Sequence, residues 1–359
     1  HSSKVQEISE NLDLLDILFQ LTQGIQHLHS LKIVHRDLKP QNILLAPSKK
    51  YLSHGNKEKK IRTLISDFGL CKKLEAEESS FRTNMRDPAG TTGWRAPELL
   101  RGKVSAMSQL GSIQSEDEMS HFSSQNSSKS VEPIIYDPIT HVRLTRAVDI
   151  FSMGCIFYYV LSRGKHPFGE KYVRESNILK SKYDLSEISL EDKYLAIEAE
   201  DLITKMISNN PHSRPTANVI LKHPLFWSKS KKLDFLLKVS DRFEVERRDP
   251  PSPLLVKLEE ISSMVITNGD WMAKFDQVFI DNLGKYRKYN GKKIMDLLRT
   301  FRNKYHHFMD LPEELQVLLG PYPEGFFSYY TKRFPNLVIE MYYVVQKNLR
   351  DDQILKEFF

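Results

Sequence analysis

Cysteine is almost missing from this chain: Cys71 and Cys155 are the only two among 359 residues, far apart and without metal-type spacing. That excludes a disulfide framework and a cysteine-based zinc site, and it suits a reducing compartment. Long apolar runs are missing too. The longest, IFSMGCIFYYVL at 150–161, is too short to cross a bilayer and contains Ser152 and Gly154, so it reads as a buried helix. Neither a secretory leader nor a membrane span is expected, and the chain is expected to be soluble and to make no membrane contact of its own.

The composition is globular, with 40% hydrophobic and 27% charged residues, and 359 residues give room for two ordinary domains. The net charge is +6, but its location matters more than its size. Residues 285–304 hold Lys285, Arg287, Lys288, Lys292, Lys293, Arg299, Arg302 and Lys304 against Asp296 alone, which makes that window +7 and the remainder about −1. A localised basic stretch points to a polyanionic partner, although a solvated lysine-rich face would look the same on charge alone.

Along the chain, Leu14, Leu15, Leu18, Leu21, Ile25 and Leu28 mark an amphipathic helix over 14–31. Short strands follow in IVHRDLKPQNILL and TLISDFGL, and polar inserts are expected at about 46–62 and 102–141. Ten of the 26 residues from Ser105 to Ser130 are serine, too little apolar surface to offset ordering entropy, so disorder is expected there. From Leu144 to Phe226 the pattern is helical. After Trp227 nearly everything reads as helix separated by RDPPSP, NGD, DLPEE and GPYPEG, which places a domain boundary at 228/229. The fold class expected is mainly α.

Three short motifs carry chemistry: HRDLKPQN at 35–42, DFG at 67–69 and APE at 96–98. Each occurs by chance; all three in order, with Lys39 and Asn42 two and five residues beyond Asp37, do not. The spacing suits phosphoryl transfer. Asp37 can accept a hydroxyl proton, Lys39 can neutralise the moving phosphoryl group, and Asn42 and Asp67 can hold Mg²⁺. Residues 1–228 thus resemble the protein kinase family, specifically its helical C-lobe with short β segments at the catalytic loop.

That resemblance implies catalytic roles for Asp37 and Lys39, cofactor contacts at Lys39, Asn42 and Asp67, and ATP/ADP with Mg²⁺ as cofactors. It makes Arg36 the receiver of an activation-loop phosphate, with Ser79, Ser80 and Thr83, between Arg82 and Arg86, as the acceptors. It also implies a buried Glu98–Arg214 ion pair and an Asp149 anchor for the catalytic loop. Only 36 residues precede Asp37, and they hold no glycine-rich loop and no strand-borne lysine. The N-lobe is therefore expected to be absent, leaving kinase activity to a longer parent protein. Intact HRD, Lys39, Asn42 and DFG weigh against a pseudokinase scaffold.

The second constellation is RTFRNKYHHFMDL at 299–311. Ile294, Leu297, Leu298, Phe301, Tyr305 and Phe308 form one stripe of a helix. Arg299, Asn303, His306 and His307 are expected to face away from it, with Arg302 on the flank. An imidazole, an amide and a guanidinium on one basic surface suit metal-free RNA cleavage by an adjacent 2′-hydroxyl. That reaction needs a proton acceptor, a proton donor and cations around the phosphorane. On the residues alone His306 and His307 are equal candidates for the donor.

A kinase C-lobe running into an all-helical extension resembles the kinase-extension-nuclease arrangement, shared by the inositol-requiring kinase/endoribonucleases of the unfolded-protein response and by ribonuclease L. The intact DFG and the segment DFGLCKKL…SSFRTN are more similar to the first. The resemblance implies an endoribonuclease domain over 229–359 with Tyr289, Arg302, Asn303 and His307 as its catalytic residues. His307 would be the general acid, Arg302 and Asn303 the holders of the phosphate, and Tyr289 the group on the nucleophile side. A phenol of reference pKa about 10 needs cations nearby to act as a base, and Arg287, Lys288 and Arg302 are the candidates. The resemblance further implies a stem-loop RNA substrate, a homodimer or higher oligomer, no nuclease cofactor, and a parent protein at the cytosolic or nucleoplasmic face of the endoplasmic reticulum. A ribonuclease L-like nuclease on a kinase-fold scaffold, or a kinase-fold module that binds RNA without cutting it, is the alternative.

Overall fold

A computed structural model describes residues 13–47, 61–74, 81–82, 89–101, 143–284 and 288–359. Ser79, Ser80, Thr83, Arg86, Arg287 and the insert at 102–141 lie outside these residues, as do residues 48–60 of the first insert. The fold is mainly α, as expected, and the chain divides into two compact units: His1–Glu187 with Ile203–Asn218, and Ile188–Leu202 with Val219–Phe359.

In the first unit, helix α1 (Leu14–Ser30) starts where Asp13 accepts a hydrogen bond from the Asp16 amide. It buries Ile17, Leu18, Leu21 and Ile25 against helix α2 (Ala147–Leu161) and strand β3 (Ile61–Ile65). Each such side chain contributes roughly 1.5–3 kcal/mol of hydrophobic stabilisation. The apolar run 150–161 is α2, buried nearly all round. Gly154 belongs there for a packing reason, since a Cβ would sit 2.8 Å from Met206 and Ile207 side-chain atoms. Strand β1 (Ile33–Val34) pairs antiparallel with β4 (Lys72–Lys73), and β2 (Ile43–Pro47) with β3, so the ends of the first insert are paired strand rather than loop. Strand β5 (Phe81–Arg82) pairs with β6 (Arg143–Leu144), and helix α3 (Arg174–Leu179) follows.

Two polar anchors hold this unit. The Asp149 carboxylate on α2, 1% exposed, accepts the backbone amides of His35 and Arg36 at 2.8 Å each and faces His29 Nε2 at 3.0 Å. Arg214 donates from both terminal nitrogens to Glu98, at 2.7 and 2.8 Å, and from Nη1 to the Ala147 carbonyl.

The helices continue with α4 (Lys193–Met206) and α5 (Ala217–Leu221). The second unit then holds α6 (Lys229–Glu244), α7 (Pro253–Glu260), α8 (Ser262–Val265), α9 (Gln277–Gly284), α10 (Ile294–His306), α11 (Glu313–Leu319), α12 (Glu324–Arg333) and α13 (Leu337–Asn348). Their starts are legible in sequence: Ser228 and Ser252 cap α6 and α7 with their hydroxyls, and Pro253 sits in the first turn of α7. The core is aromatic, with Phe235, Trp271, Phe279, Phe301, Phe326, Phe327 and Tyr330 fully buried. Helix α10 packs on α6 and α7 and is the element that carries the basic motif.

Two expectations for that motif change. Arg299 was expected on the solvent side but is 4% exposed, and Lys304 is buried as well. The reason is that α10 meets more than one neighbour, so residues off its apolar stripe also leave water. The helix ends at His306, which makes His307 its C-cap, and Phe308 opens a short 3₁₀ turn rather than continuing the stripe.

Candidate active sites

The first site gathers at the catalytic loop. Arg36 adopts a left-handed backbone conformation, φ 69°, a strained state held by the Asp149 bonds. That turn presents Asp37, whose Oδ2 lies 2.8 Å from Lys39 Nζ. Thr91 completes a triangle that the motifs did not disclose. Its hydroxyl donates to Asp37 Oδ1 at 2.6 Å and accepts from Lys39 Nζ at 2.7 Å. Burial pushes the Asp37 carboxyl up, but the bonds from Lys39 and Thr91 outweigh it, so its pKa lies below the ordinary value.

Asn42 is 5% exposed and donates Nδ2 to the Asp37 carbonyl at 2.8 Å, which aims its own side-chain oxygen away from that bond. The Ser66 amide donates to the Asn42 carbonyl at 2.9 Å, so Asp67 follows a residue tied to Asn42. Asp67 too is left-handed, φ 61°, and among the described residues its exposed carboxylate takes a long bond from the Gly69 amide at 3.4 Å. One carboxylate and one amide oxygen are hard donors of the kind Mg²⁺ takes together with phosphate oxygens. Phe68 is half-exposed, with its ring edge-on to His35 at 5.4 Å.

The second site lies on α10 and the loop before it. Asn303 joins two of the expected residues through its amide: Nδ2 donates to the Tyr289 hydroxyl at 3.2 Å, while Oδ1 accepts from Arg302 Nε and Nη2 at 3.4 and 3.2 Å. Arg302 also donates Nη1 to Asp241 at 3.2 Å. His307 stands one turn on, its amide bonded to the Asn303 carbonyl at 3.1 Å, with Nδ1 3.2 Å from Asp310 Oδ2. Its side chain is 71% exposed. The structure therefore brings Tyr289, Asn303 and Arg302 into contact and sets His307 beside them through the backbone. His306 is exposed too and lies edge-on to Tyr305.

Of the cations expected around Tyr289, Lys288 is exposed, and Arg302 is linked to the phenol through Asn303. Lys304 points inward, donates to Asn282 Oδ1 and lies 5.7 Å from the Phe279 ring, and burial pulls its ammonium down to about 8.

The Tyr289 loop is pinned from three sides. Trp271 Nε1 donates to the Asn290 and Lys293 carbonyls at 3.2 and 3.0 Å, and its backbone amide to the Gly291 carbonyl at 2.8 Å. Asp296 Oδ2 accepts the Asn290 amide at 2.7 Å. Glu259 accepts the amides of Ile294 and Met295, satisfying the start of α10 with a carboxylate. Trp271 and Glu259 are partners that no local pattern in the sequence marks.

Residues 2–111 and 127–226 match the family model described as a protein kinase domain, and residues 232–359 that described as ribonuclease 2-5A. The chain is 44% identical over 352 residues to the "sensor for unfolded proteins in the ER ire1" of Schizosaccharomyces pombe, covering 98% of this chain and 30% of that protein. It is 44% identical over 362 aligned positions to the serine/threonine-protein kinase/endoribonuclease ireA of Aspergillus fumigatus, covering 95% of this chain and 30% of that protein. To the human serine/threonine-protein kinase/endoribonuclease IRE2 it is 39% identical over 345 residues, covering 94% of this chain and 32% of that protein. The chain thus spans just under a third of the length of these curated relatives. Among the described residues, no helix is long and apolar enough to cross a membrane.

Proposed function

Because the chain belongs to the family that joins a protein kinase domain to a ribonuclease 2-5A domain, we propose that it is the catalytic part of a bifunctional Ser/Thr protein kinase and endoribonuclease. The parent protein would cut stem-loop RNA in the unfolded-protein response, from the cytosolic or nucleoplasmic face of the endoplasmic reticulum, after autophosphorylation and self-association. The kinase part would end near 228 and the nuclease part begin at 229. In support of that division, the two family models stop and start at 226 and 232.

The observation that carries the nuclease reading is the Asn303 amide, which links the Tyr289 hydroxyl to the Arg302 guanidinium one turn before His307. His307, with Nδ1 engaged by Asp310, offers Nε2 to protonate the leaving 5′-oxygen. Arg302 and Asn303 hold the phosphate, which displaces the exposed Asp241 from Nη1. Tyr289 faces the attacking 2′-hydroxyl. The proton of the 2′-hydroxyl leaves on the Tyr289 side as the proton of His307 reaches the 5′-oxygen, and none of these groups is a cofactor.

A protein kinase domain uses ATP and a divalent metal. Asn42 and Asp67 fit a metal shared with phosphate oxygens, and Lys39 fits the transferring phosphoryl group. Bound there, the nucleotide supplies the phosphoryl group, while Asp37 takes the proton of the acceptor hydroxyl.

Cleavage of a stem-loop RNA in EDTA, measured over a range of protein concentrations, tests this reading. Cutting should persist, and its specific rate should rise with concentration as copies associate. An RNA that is bound but never cut would favour the binding-module alternative, and a rate that stays flat in a demonstrably monomeric protein would remove self-association.

Gly291→Ala tests the loop. A Cβ there would lie 1.8 Å from Asp270 Oδ1, so the Asp270 carboxylate has to leave its cap on the Trp271–Lys274 turn or the loop beside Tyr289 has to shift. Overpacking of this kind costs about 1–3 kcal/mol, and a shift of about 1 Å at a catalytic group costs roughly 100-fold in rate. Melting and cleavage of the variant measure both, and a normal cleavage rate would separate the loop from catalysis.

A further inference from the structure

Arg299 lies one turn before Asn303 on α10, and its guanidinium is spent entirely inside the protein. Nε and Nη2 donate to Glu244 Oε2 and Oε1 at 2.9 and 3.2 Å, and Nη1 donates to Asp296 Oδ1 at 3.1 Å. Both carboxylates lead onward to the nuclease site. Glu244 Oε2 is 3.8 Å from Arg302 Nη2. Asp296 Oδ2 takes the amide of Asn290, the residue after Tyr289. Since Arg302 bonds Asn303 and Asn303 bonds Tyr289, the contacts close into a ring: Arg299, Glu244, Arg302, Asn303, Tyr289, Asn290, Asp296 and back to Arg299.

We infer that Arg299 is a positioning residue of the nuclease, fixing the Arg302 guanidinium and the Tyr289 backbone from a single buried point; the inference rests on the nuclease reading above. One observation and two general arguments favour this over a merely structural ion pair. Helix α10 is already held by Leu297, Leu298 and Phe301, all fully buried, so it does not need a buried charge to dock. A buried guanidinium with its carboxylates gains little net stability over apolar side chains. And the planar fork sets two carboxylates in fixed directions at once, which the point charge of a lysine cannot do. Together with Arg248, which pairs with Glu244 Oε1 at 2.8 Å, Arg299 also offsets the charge of Glu244 and Asp296, which would otherwise repel an RNA phosphate and compete with it for Arg302.

Arg299→Lys in the full-length protein tests the inference, with kcat and KM for a stem-loop RNA, RNA affinity and melting all measured. The expected result is a kcat lower by about 10- to 100-fold, from misplacement of the site by a fraction of an ångström to about 1 Å, with KM and RNA affinity within about threefold. Combined with Asn303→Ala, it should add almost nothing to the loss caused by Asn303→Ala alone, because both break one ring. A lower melting temperature with unchanged kcat below the transition, or losses that multiply, would overturn it. Should Arg299→Lys not fold, Asp296→Asn keeps Arg299 and weakens only the arm to the Tyr289 loop. It should lower kcat about tenfold with a native melt, and unchanged kcat there would overturn the inference equally. If the unsubstituted protein does not cut RNA, the nuclease reading itself falls and takes this inference with it. If it cuts and both variants cut normally, only the inference falls.

Discussion

Replacing His307 with Asn is expected to lower RNA cleavage by about 10²–10⁴-fold, the worth of general acid catalysis, while RNA binding and melting barely change. The side chain is 71% exposed at the C-cap of α10, and Asp310, which faces its Nδ1, is exposed as well. Asn preserves polarity and approximate size, and surface changes of this kind move stability by no more than about 0.5 kcal/mol. What the proposed mechanism would lose is the proton for the leaving 5′-oxygen. His306→Asn should keep the rate within about threefold, since that ring packs edge-on to Tyr305. Single-turnover cleavage, RNA affinity and melting of both variants decide the matter. If the loss appears in His306→Asn instead, the acid has been assigned to the wrong imidazole. If His307→Asn fails only because it has unfolded, the assignment has no support.

Autophosphorylation of the full-length protein should fall by at least about 100-fold in Asp37→Asn, the loss expected when a proton acceptor and its charge are both removed. The carboxylate is one corner of a triangle with Lys39 and Thr91. An amide in its place cannot take the hydroxyl proton and no longer holds the Lys39 ammonium by charge. Thr91→Val keeps the shape and removes two hydrogen bonds, so a smaller loss of about tenfold is expected. Asp67→Ala should also abolish phosphorylation, whereas His307→Asn should leave it intact, since the two chemistries use different residues. Incorporation of labelled phosphate into each variant measures this. An Asp37→Asn protein that phosphorylates itself normally would remove Asp37 from its role.

The kinase-like half was legible as a family from its motifs, because HRDLKPQN, DFG and APE each lie within a few consecutive residues. Asp37, Lys39 and Asn42 are neighbours in sequence, and a motif can register them. Thr91 could not be read in this way, because it reaches Asp37 only through tertiary structure. The nuclease half was legible as helices and as a basic window, but periodicity misplaced Arg299. A hydrophobic stripe shows which face of α10 is apolar. It does not show that Glu244, 55 residues earlier on α6, would draw a guanidinium inward. Nor does the stripe show that Lys304 would turn inward to Asn282 on α9. The choice between His306 and His307 came only from the family resemblance, because both are exposed and adjacent.

The measurement that bears most directly on the central claim is the chemistry of the cut ends. A stem-loop RNA is cleaved in EDTA by the full-length protein and its products are analysed. Attack by the adjacent 2′-hydroxyl breaks the bond to the 5′-oxygen, so the upstream product should end in a 2′,3′-cyclic phosphate and the downstream product should begin with a 5′-hydroxyl. Products with 5′-phosphate and 3′-hydroxyl ends would show that water, not the 2′-hydroxyl, is the nucleophile, and would contradict the roles given to Tyr289 and His307.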